Sequence, residues 1–322
     1  MSDERGGIDL GGTKIEAAVI DGDNKVVAQS RHPTPTDGGP TKVAEEMATA
    51  MTSACEQAGL KSSDLHGVGV GSPGEIDKRK GTVAQAKNLP DWSEAFPLAD
   101  TLGAALGTEV KLGNDVQTAV VGEFELGAGA PYSSLLGVWW GTGVGGGIIL
   151  RKQLWRGRGA AGEIGHIVVK RDGALCGCGR LGCMEAYAGR ASMEGEARRR
   201  HDKGAKTDLF KIMKKRGRTR LTSGIWARAL EHNDPMAHDL MDRAVNALGT
   251  GIASANNVLD VEAIILGGGL GSRLGPEYLP AIRKEMLKHL FVSQRPPDMH
   301  IAGLGDLGGA IGASLLVAPK KR

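Results

Sequence analysis

The chain has 322 residues, 41% of them hydrophobic and 24% charged, a balance typical of a globular protein, and its length fits two domains better than one core. A formal net charge of +3 is too small to indicate nucleic-acid binding, and no apolar run approaches the length of about 18 residues expected of a membrane span. The polar start MSDERGG has no features of a signal peptide, so we expect a cytoplasmic protein.

The first part of the sequence predicts strands that alternate with helices. Apolar residues flank a Gly-Gly-Thr turn in GGIDLGGTKIEAAVID, and KVVAQSRH follows a second turn as the next strand. A helix capped by Thr41 carries apolar residues at every fourth position up to Cys55, so we expect that thiol to be a buried apolar group. The strand HGVGVG, a helix near 93–106 and a strand at 109–112 then lead to Gly113-Asn114-Asp115 and a helix ending near residue 126.

The second part of the sequence repeats the opening order. SSLLGVWW predicts a strand, GTGVGGG a glycine-rich turn, and IILRKQLW the returning strand. A helix capped by Asn233-Asp234-Pro235, the strand VEAIIL and a last helix near 307–317 follow. The alternation predicts an α/β protein built from two similar halves.

Three glycine-rich segments each follow an apolar strand: DLGGTK (9–14), GTGVGGG (141–147) and GGGLGS (267–272). Glycine lets backbone N–H groups converge on an anion, but any one such loop can equally be only a tight turn. Neither common nucleotide fingerprint is present, because GxxxxGK[ST] is missing and GTGVGG opens a hairpin. Together the three segments favour a nucleotide held between the two halves. Asp9 could hold Mg²⁺, usually through water, and Thr13 and Lys14 could reach phosphate.

Asp115 lies between a strand end and a helix start. The helix start alone explains an Asp there as an N-cap. The functional alternative is a carboxylate that accepts the proton of an attacking hydroxyl, for which ordinary basicity and correct orientation suffice.

His166, Cys176, Cys178 and Cys183 have the composition of a closed tetrahedral zinc site. A chance cluster or a redox pair is the alternative, although thiol redox motifs favour C-x-x-C and this segment has C-x-C. A metal with four protein ligands cannot activate water, so its role would be to orient the imidazole. With Glu163 and Glu185 beside it, that ring could bind a hydroxylated ligand, although either glutamate alone is more typical of a surface or helix position.

The ordered motifs DLGGTK, GNDVQTAVVGE, GTGVGGGII, AAGEIGH, CGCGRLGCMEAY and ILGGGLG resemble the ROK family of sugar kinases, most of all its bacterial glucokinases. The resemblance covers nearly the whole chain. It implies the actin-like ATPase (ribonuclease H-like) fold, with two similar lobes around a central cleft and a structural zinc site. It also implies transfer of the γ-phosphoryl group of ATP to the 6-hydroxyl of a hexose, with Mg²⁺ as cofactor, and assembly as a homodimer or homotetramer.

The resemblance also implies roles for individual residues. Asp115 would be the general base. The sugar would be bound by Gly74, Asn88, Asn114, Asp115, Glu163, His166 and Glu185, and zinc by His166, Cys176, Cys178 and Cys183. The nucleotide would be bound by Asp9, Gly11, Gly12, Thr13 and Lys14, by Gly141, Thr142, Gly143 and Gly145, and by Gly268 and Gly269 beside the adenosine.

We expect a small N-terminal lobe of residues 1–118 plus 304–322 and a larger C-terminal lobe of residues 119–303. Trp139 and Trp140 depart from the family pattern and could pack against a helix or narrow the cleft. The basic run KKRGRTR (214–220) is typical of a solvated face, with a track for polyphosphate as the alternative.

Two other functions remain open. N-acetylglucosamine and N-acetylmannosamine kinases of the family share most of these motifs. The second alternative is a sugar-responsive ROK repressor. Such repressors carry a helix-turn-helix region ahead of the sugar-binding lobes, whereas here the first phosphate loop already begins at Asp9, which disfavours a repressor.

Overall fold

The computed structural model describes residues 3–86 and 88–319. The strands are β1 (Arg5–Leu10), β2 (Lys14–Ile20), β3 (Val26–Pro33), β4 (Val68–Ser72), β5 (Glu75–Asp77), β6 (Thr82–Ala84), β7 (Val110–Asn114), β8 (Leu135–Trp140), β9 (Val144–Leu150), β10 (Gln153–Trp155), β11 (Ala263–Gly267) and β12 (Asp298–Ile301). The helices are α1 (Gly39–Gln57), α2 (Leu98–Leu106), α3 (Asp115–Leu126), α4 (Glu185–Ala188), α5 (Arg190–Asp202), α6 (Leu209–Lys215), α7 (Ser223–Glu231), α8 (Pro235–Leu259), α9 (Gly268–Leu287) and α10 (Gly308–Ser314).

The sheet of the first unit has the strand order β3-β2-β1-β4-β7. Strands β1, β2 and β3 form antiparallel pairs, whereas β4 and β7 continue the sheet in parallel with β1. The register places Asp9 of β1 opposite Gly71 of β4, and Gly71 opposite Gly113 of β7. The carboxyl ends of these three strands therefore meet at one edge of the sheet.

The sheet of the second unit repeats this topology with the order β10-β9-β8-β11-β12. Its first three strands are again antiparallel, and β11 and β12 are again parallel to β8. The predicted α/β repeat is thus confirmed, and the chain has the actin-like ATPase fold.

The contacts divide the described chain into two compact units. The first contains the residues up to Ala130 together with those from Gly303 onward, and the second is Pro131–Ala302. The expected boundary after residue 118 is displaced to 130/131, because a cut after 118 would split α3, which packs on α10 within the first unit. The expected boundary between 303 and 304 falls one residue away, between 302 and 303.

Several local predictions are confirmed and others are wrong. Cys55 is fully buried, and burial raises the pKa of its thiol to about 11. Asp234 caps α8 by accepting a hydrogen bond from the Ala237 N–H, with Pro235 in the first turn. Helix α1, however, begins at Gly39 rather than after a Thr41 cap, since Pro40 in its first turn needs no N–H partner there.

Two further segments differ from their predictions. IILRKQLW is two strands, because Arg151 and Lys152 adopt left-handed φ values of 51° and 62° and turn the chain between β9 and β10. The run GGGLGS is the start of α9 rather than a loop. Within the described residues, no helix is both long and apolar enough to cross a membrane.

Close backbone packing accounts for two of the glycines of the first sheet. A Cβ atom on Gly7 would lie 1.9 Å from the Ala310 carbonyl oxygen, and one on Gly69 would lie 1.8 Å from the Ala313 oxygen. Helix α10 therefore lies directly on the backbone of β1 and β4, a contact that any side chain at these positions would prevent.

Candidate functional site

The first glycine segment forms the turn between β1 and β2. The Gly11 N–H donates to the Lys14 carbonyl oxygen at 3.0 Å, and the buried Thr34 hydroxyl donates to the Gly11 oxygen at 2.7 Å. Gly12 and Thr13 at its tip are exposed. The turn is therefore held at its base, while the backbone at its tip is accessible to solvent.

Asp9 is the second-last residue of β1 and lies among other acidic groups. Burial of its carboxyl group, together with the charges of Asp115 and Glu16, raises its pKa to about 7, and the opposing effect of Lys14 is smaller. Lys14 lies 2.7 Å from Glu16 through Nζ and Oε2, and Arg31 contacts the same buried glutamate. Lys14, expected to bind phosphate, thus has an ion pair within its own sheet.

Asn114, not Asp115, is the N-cap of α3. Its Oδ1 accepts from the Gln117 N–H at 3.1 Å, and its Nδ2 donates to Asp115 Oδ1 at 3.0 Å. The Val116 N–H donates to the same Asp115 oxygen at 2.9 Å. Asp115 therefore does not serve as the cap, and two donors orient its carboxylate.

Gly74 and Asn88 pack against backbone in the first unit. Gly74 has a φ of 94°, and a Cβ there would lie 2.5 Å from the Ala84 carbonyl oxygen, so the position requires glycine for the turn itself. Asn88 is exposed and lies against the tip of the first glycine turn, where a Cβ on Gly12 would be 3.0 Å from the main-chain carbonyl oxygen of Asn88. Asn88 is thus beside the predicted phosphate loop.

In the second unit, the predicted zinc ligands His166, Cys176, Cys178 and Cys183 come together, with one ligand atom from each within 4.8 Å of all the others. Cys178 and Cys183 have their sulfur atoms 3.8 Å apart, which agrees with the roughly 3.8 Å edge of a tetrahedron with zinc–sulfur bonds of about 2.3 Å. Burial raises the pKa of the Cys176 thiol to about 12, so a cation would be needed to hold it as a thiolate. The donor set and its spacing fit zinc.

Hydrogen bonds between near neighbours shape the backbone of residues 176–183, which we call the metal loop. The Cys176 N–H donates to the Arg180 oxygen at 2.8 Å, and the Gly179 N–H returns to the Cys176 oxygen at 2.9 Å. Gly179 has a φ of 86° and Gly182 a φ of 81°, so both occupy conformations that favour glycine. The glycines of CGCGRLGC thus permit the tight turns that bring the three thiols together.

The imidazole of His166 has different neighbours on its two nitrogens. Nδ1 lies 3.9 Å from the Cys176 sulfur, and Nε2 lies 3.9 Å from Glu163 Oε2. Glu163 is 64% exposed at its side chain. If Nδ1 binds the metal, Nε2 remains on the side of Glu163.

Glu185 has a structural contact that the sequence did not predict. Its Oε2 accepts from the Val144 N–H at 2.8 Å, at the start of β9, and its Oε1 lies 3.7 Å from the Cys176 sulfur. A Cβ on Gly143 would collide with this carboxylate at 2.2 Å. The residue thus joins the metal loop to the second glycine segment.

The second and third glycine segments lie side by side. Gly141–Gly143 form the β8–β9 turn, and a Cβ on Gly141 would be 3.7 Å from the Gly269 nitrogen. Gly268, with a φ of 83°, packs on the Trp140 backbone and begins α9. Gly145 lies within β9 opposite Trp139, outside the turn.

Several residues around this edge have contacts of their own. Arg190 donates to the Thr142 hydroxyl at 2.8 Å, a contact between residues too far apart in the sequence to be predicted from local pattern. Trp140 is buried and donates to the Ala188 oxygen at 2.8 Å, whereas Trp139 lies against Gly267. Both indoles therefore pack within the second unit.

The basic run 214–220 is partly paired. Arg220 lies 3.3 Å from the buried Glu194, which also binds Arg198. Lys214 and Arg218 are exposed on the rim of a cavity of about 380 Å³. This surface is consistent with the solvated face that the composition predicts.

Comparison with known proteins identifies the class. The model of the ROK family matches residues 5–320, and the chain therefore belongs to the ROK family. The chain is 33% identical over 312 residues to the glucokinase of Streptomyces coelicolor, which covers 96% of this chain and 95% of that protein. It is 31% identical to the N-acetylmannosamine kinase of Haemophilus influenzae, with 96% of this chain and 94% of that protein covered.

A solved structure also matches the chain. The ROK family glucokinase from Streptomyces griseus, in complex with glucose and AMPPNP, superposes with a TM-score of 0.82 at 32% identity. The match covers 97% of this chain and 98% of that one.

Replacing one cluster thiol should release the metal. We expect the purified chain to contain about one zinc ion, and Cys178→Ser to lose most of it, because a tetrahedral site needs all four ligands. Its unfolding temperature should fall by at least about 5 °C. Metal analysis and thermal denaturation would measure these effects.

Cys55→Ala is the control, since it removes a thiol outside the cluster and should keep the metal. Zinc-free protein that remains equally stable would contradict a structural role of the metal.

Asp9 should make stability fall with rising pH. Its folded pKa of about 7 exceeds the unfolded value of 3.8, so between these values the folded state holds more protons. Stability from this group is greatest below pH 3.8, declines from there to about pH 7, and levels off above it. Asp9→Asn should remove this decline and be more stable than the wild type at pH 8, by up to about 4 kcal/mol.

Urea unfolding at pH 5 and pH 8 without divalent cations would measure this difference, with the exposed Asp100→Asn as control. Equal pH dependence in the wild type and Asp9→Asn would contradict the assignment.

Proposed function

We propose that this chain transfers the γ-phosphoryl group of ATP to the 6-hydroxyl of glucose, with Asp115 as the general base. The observation that carries this proposal is the placement of Asp9 and Asp115 at one edge of one sheet, close enough for the Asp115 charge to raise the pKa of Asp9. An oriented carboxylate, close to a second acid that precedes a glycine turn, suits phosphoryl transfer to a hydroxyl.

The broader class has independent support. The chain is an ATP-dependent hexose kinase, as its family and its curated relatives indicate. Glucose as the preferred sugar is the finer proposal, supported by the glucokinase relatives and by the relative solved with glucose and AMPPNP.

Asp115 would accept the proton of the attacking hydroxyl. Asn114 Nδ2 and the Val116 N–H both donate to its Oδ1, which fixes the plane of the carboxylate. The transition state of phosphoryl transfer is loose, so the base must be well placed rather than strong. We propose that Asn114 acts mainly by orienting Asp115, because its own oxygen is occupied by the helix cap.

The phosphates would lie along the glycine segments. In the first unit, the exposed tip at Gly12 and Thr13 offers backbone N–H groups, and the neighbouring Asp9 suits Mg²⁺, which prefers oxygen ligands and retains several waters. Bound Mg²⁺ would neutralise phosphate charge and favour the ionised form of Asp9. In the second unit, the turn at Gly141–Gly143 and the start of α9 at Gly268 offer further backbone donors.

The zinc cluster would act on the sugar side. With Nδ1 of His166 committed to the metal, Nε2 and the exposed Glu163 carboxylate can contact sugar hydroxyls. Glu185 is already bound to the Val144 N–H, so a sugar contact would have to share that carboxylate. Bound zinc would fix the orientation of the His166 ring and would not act as a Lewis acid on the substrate.

Asp115→Asn should separate binding from catalysis. The amide keeps the size of the side chain but cannot accept the proton, so we expect kcat to fall by about 10²- to 10⁴-fold. The KM for glucose should change by less than about threefold, because the variant keeps the contacts that bind glucose in the ground state. A coupled ADP-release assay measures both quantities. Asp100→Asn, at an exposed position, is the charge-matched control. Near-normal turnover of Asp115→Asn would exclude Asp115 as the base.

A substrate panel tests the sugar and the donor. We expect kcat/KM for glucose with ATP to exceed that for mannose, fructose, N-acetylglucosamine and N-acetylmannosamine by at least about tenfold. Preference for an N-acetylated sugar would favour that alternative instead. Absence of hexose-dependent ADP release would favour a sugar-sensing regulator, and turnover with polyphosphate would extend the donor range.

A further inference from the structure

Glu123 occupies a position that is unfavourable for a carboxylate. It lies in the last turn of α3 and is only 1% exposed. Acidic side chains are almost never buried to this extent without partners, and the carboxyl end of a helix repels negative charge. Its presence there indicates a specific set of donors.

The donors are backbone N–H groups of two segments that are far from each other in the sequence. Glu123 Oε2 accepts from the Ala128 N–H at 3.0 Å and from the Gly303 N–H at 2.9 Å. Oε1 accepts from the Leu304 N–H at 2.8 Å. The main-chain carbonyl of Glu123 also accepts from Gly127 at 3.1 Å and from residue 129 at 2.9 Å. Hydrogen bonds to an ionised carboxylate are the stronger kind.

These two segments are the connections between the units. The chain leaves the first unit after Ala130 and returns to it at Gly303. They are packed together on the same side chain: a Cβ on Gly127 would lie 2.1 Å from Glu123 Oε2, and a Cβ on Gly303 would lie 3.5 Å from the Ala128 nitrogen. One buried carboxylate therefore fixes both connections where they join the first unit.

We infer that Glu123 is a positioning residue for phosphoryl transfer. The inference rests on the proposed function, in which Asp115 at the start of this helix is the general base. Asp115 begins α3 and Glu123 lies eight residues later, about 12 Å along the same helix axis. The helix that carries the proposed general base thus also holds the two segments through which the chain leaves and re-enters the first unit.

Glu123→Gln tests this role, because the amide keeps the shape but its NH₂ group cannot accept a hydrogen bond from a backbone N–H. We expect kcat to fall about tenfold or more, while the Kd of AMPPNP changes by less than about threefold. Glu125→Gln is the matched control, since Glu125 lies on the same helix and is exposed, and it should stay within about twofold of the wild type. A purely structural role would lower the unfolding temperature but leave kcat unchanged where the variant is fully folded.

A folded Glu123→Gln variant with kcat within twofold of the wild type, or an equal loss in Glu125→Gln, would overturn the inference. If the variant does not fold, hydrogen exchange of the wild type decides: the amides of Ala128, Gly303 and Leu304 should all be strongly protected, and fast exchange at these amides would overturn it. A wild type without hexose-dependent ADP release would instead refute the proposed function and, with it, the catalytic role of Glu123.

Discussion

Parallel strands bring their carboxyl ends to the same edge of a sheet, and the proposed chemistry of this chain depends on that constraint. In the first unit, β1 and β7 both run parallel to β4, so the acid at the end of one and the acid after the other lie within electrostatic range. In the second unit, β8 and β11 end together and bring two glycine segments side by side. The fold thus brings these residues together, and the loops carry the groups on which the proposed chemistry depends.

Features that depend on neighbouring residues in the sequence could be predicted from it. The Cys/His cluster needs its four side chains at short spacing and glycines that allow tight turns, and both can be read from the sequence. The cap of α8 and the burial of Cys55 follow from local pattern in the same way. Thr41 predicts too late a start for α1 because it is an equally plausible cap, although Pro40 in the first turn already favours the earlier start.

Features that depend on distant residues could not be predicted. Glu16 pairs not only with Lys14, two residues away on the same strand, but also with Arg31 on the third strand, and this second partner could not be predicted. Glu185 contacts Val144, 41 residues earlier, and no periodicity in either segment indicates the pairing. The boundary between the units likewise depends on α3 packing against α10, an element almost 200 residues later. Side-chain partners of this kind are properties of the folded chain.

The glycines differ in how freely they could be replaced in protein engineering. At Gly7 and Gly69, helix α10 lies directly on the strand backbone, so there is no room for a Cβ atom. Alanine at these positions would therefore clash, and could not stabilise the protein by restricting the unfolded chain. Gly195 is exposed in the middle of α5, and a Cβ there would meet nothing within 4 Å. Thermostabilisation by glycine replacement therefore has a clear starting point on the outer surface of the second unit, far in sequence from the glycine segments.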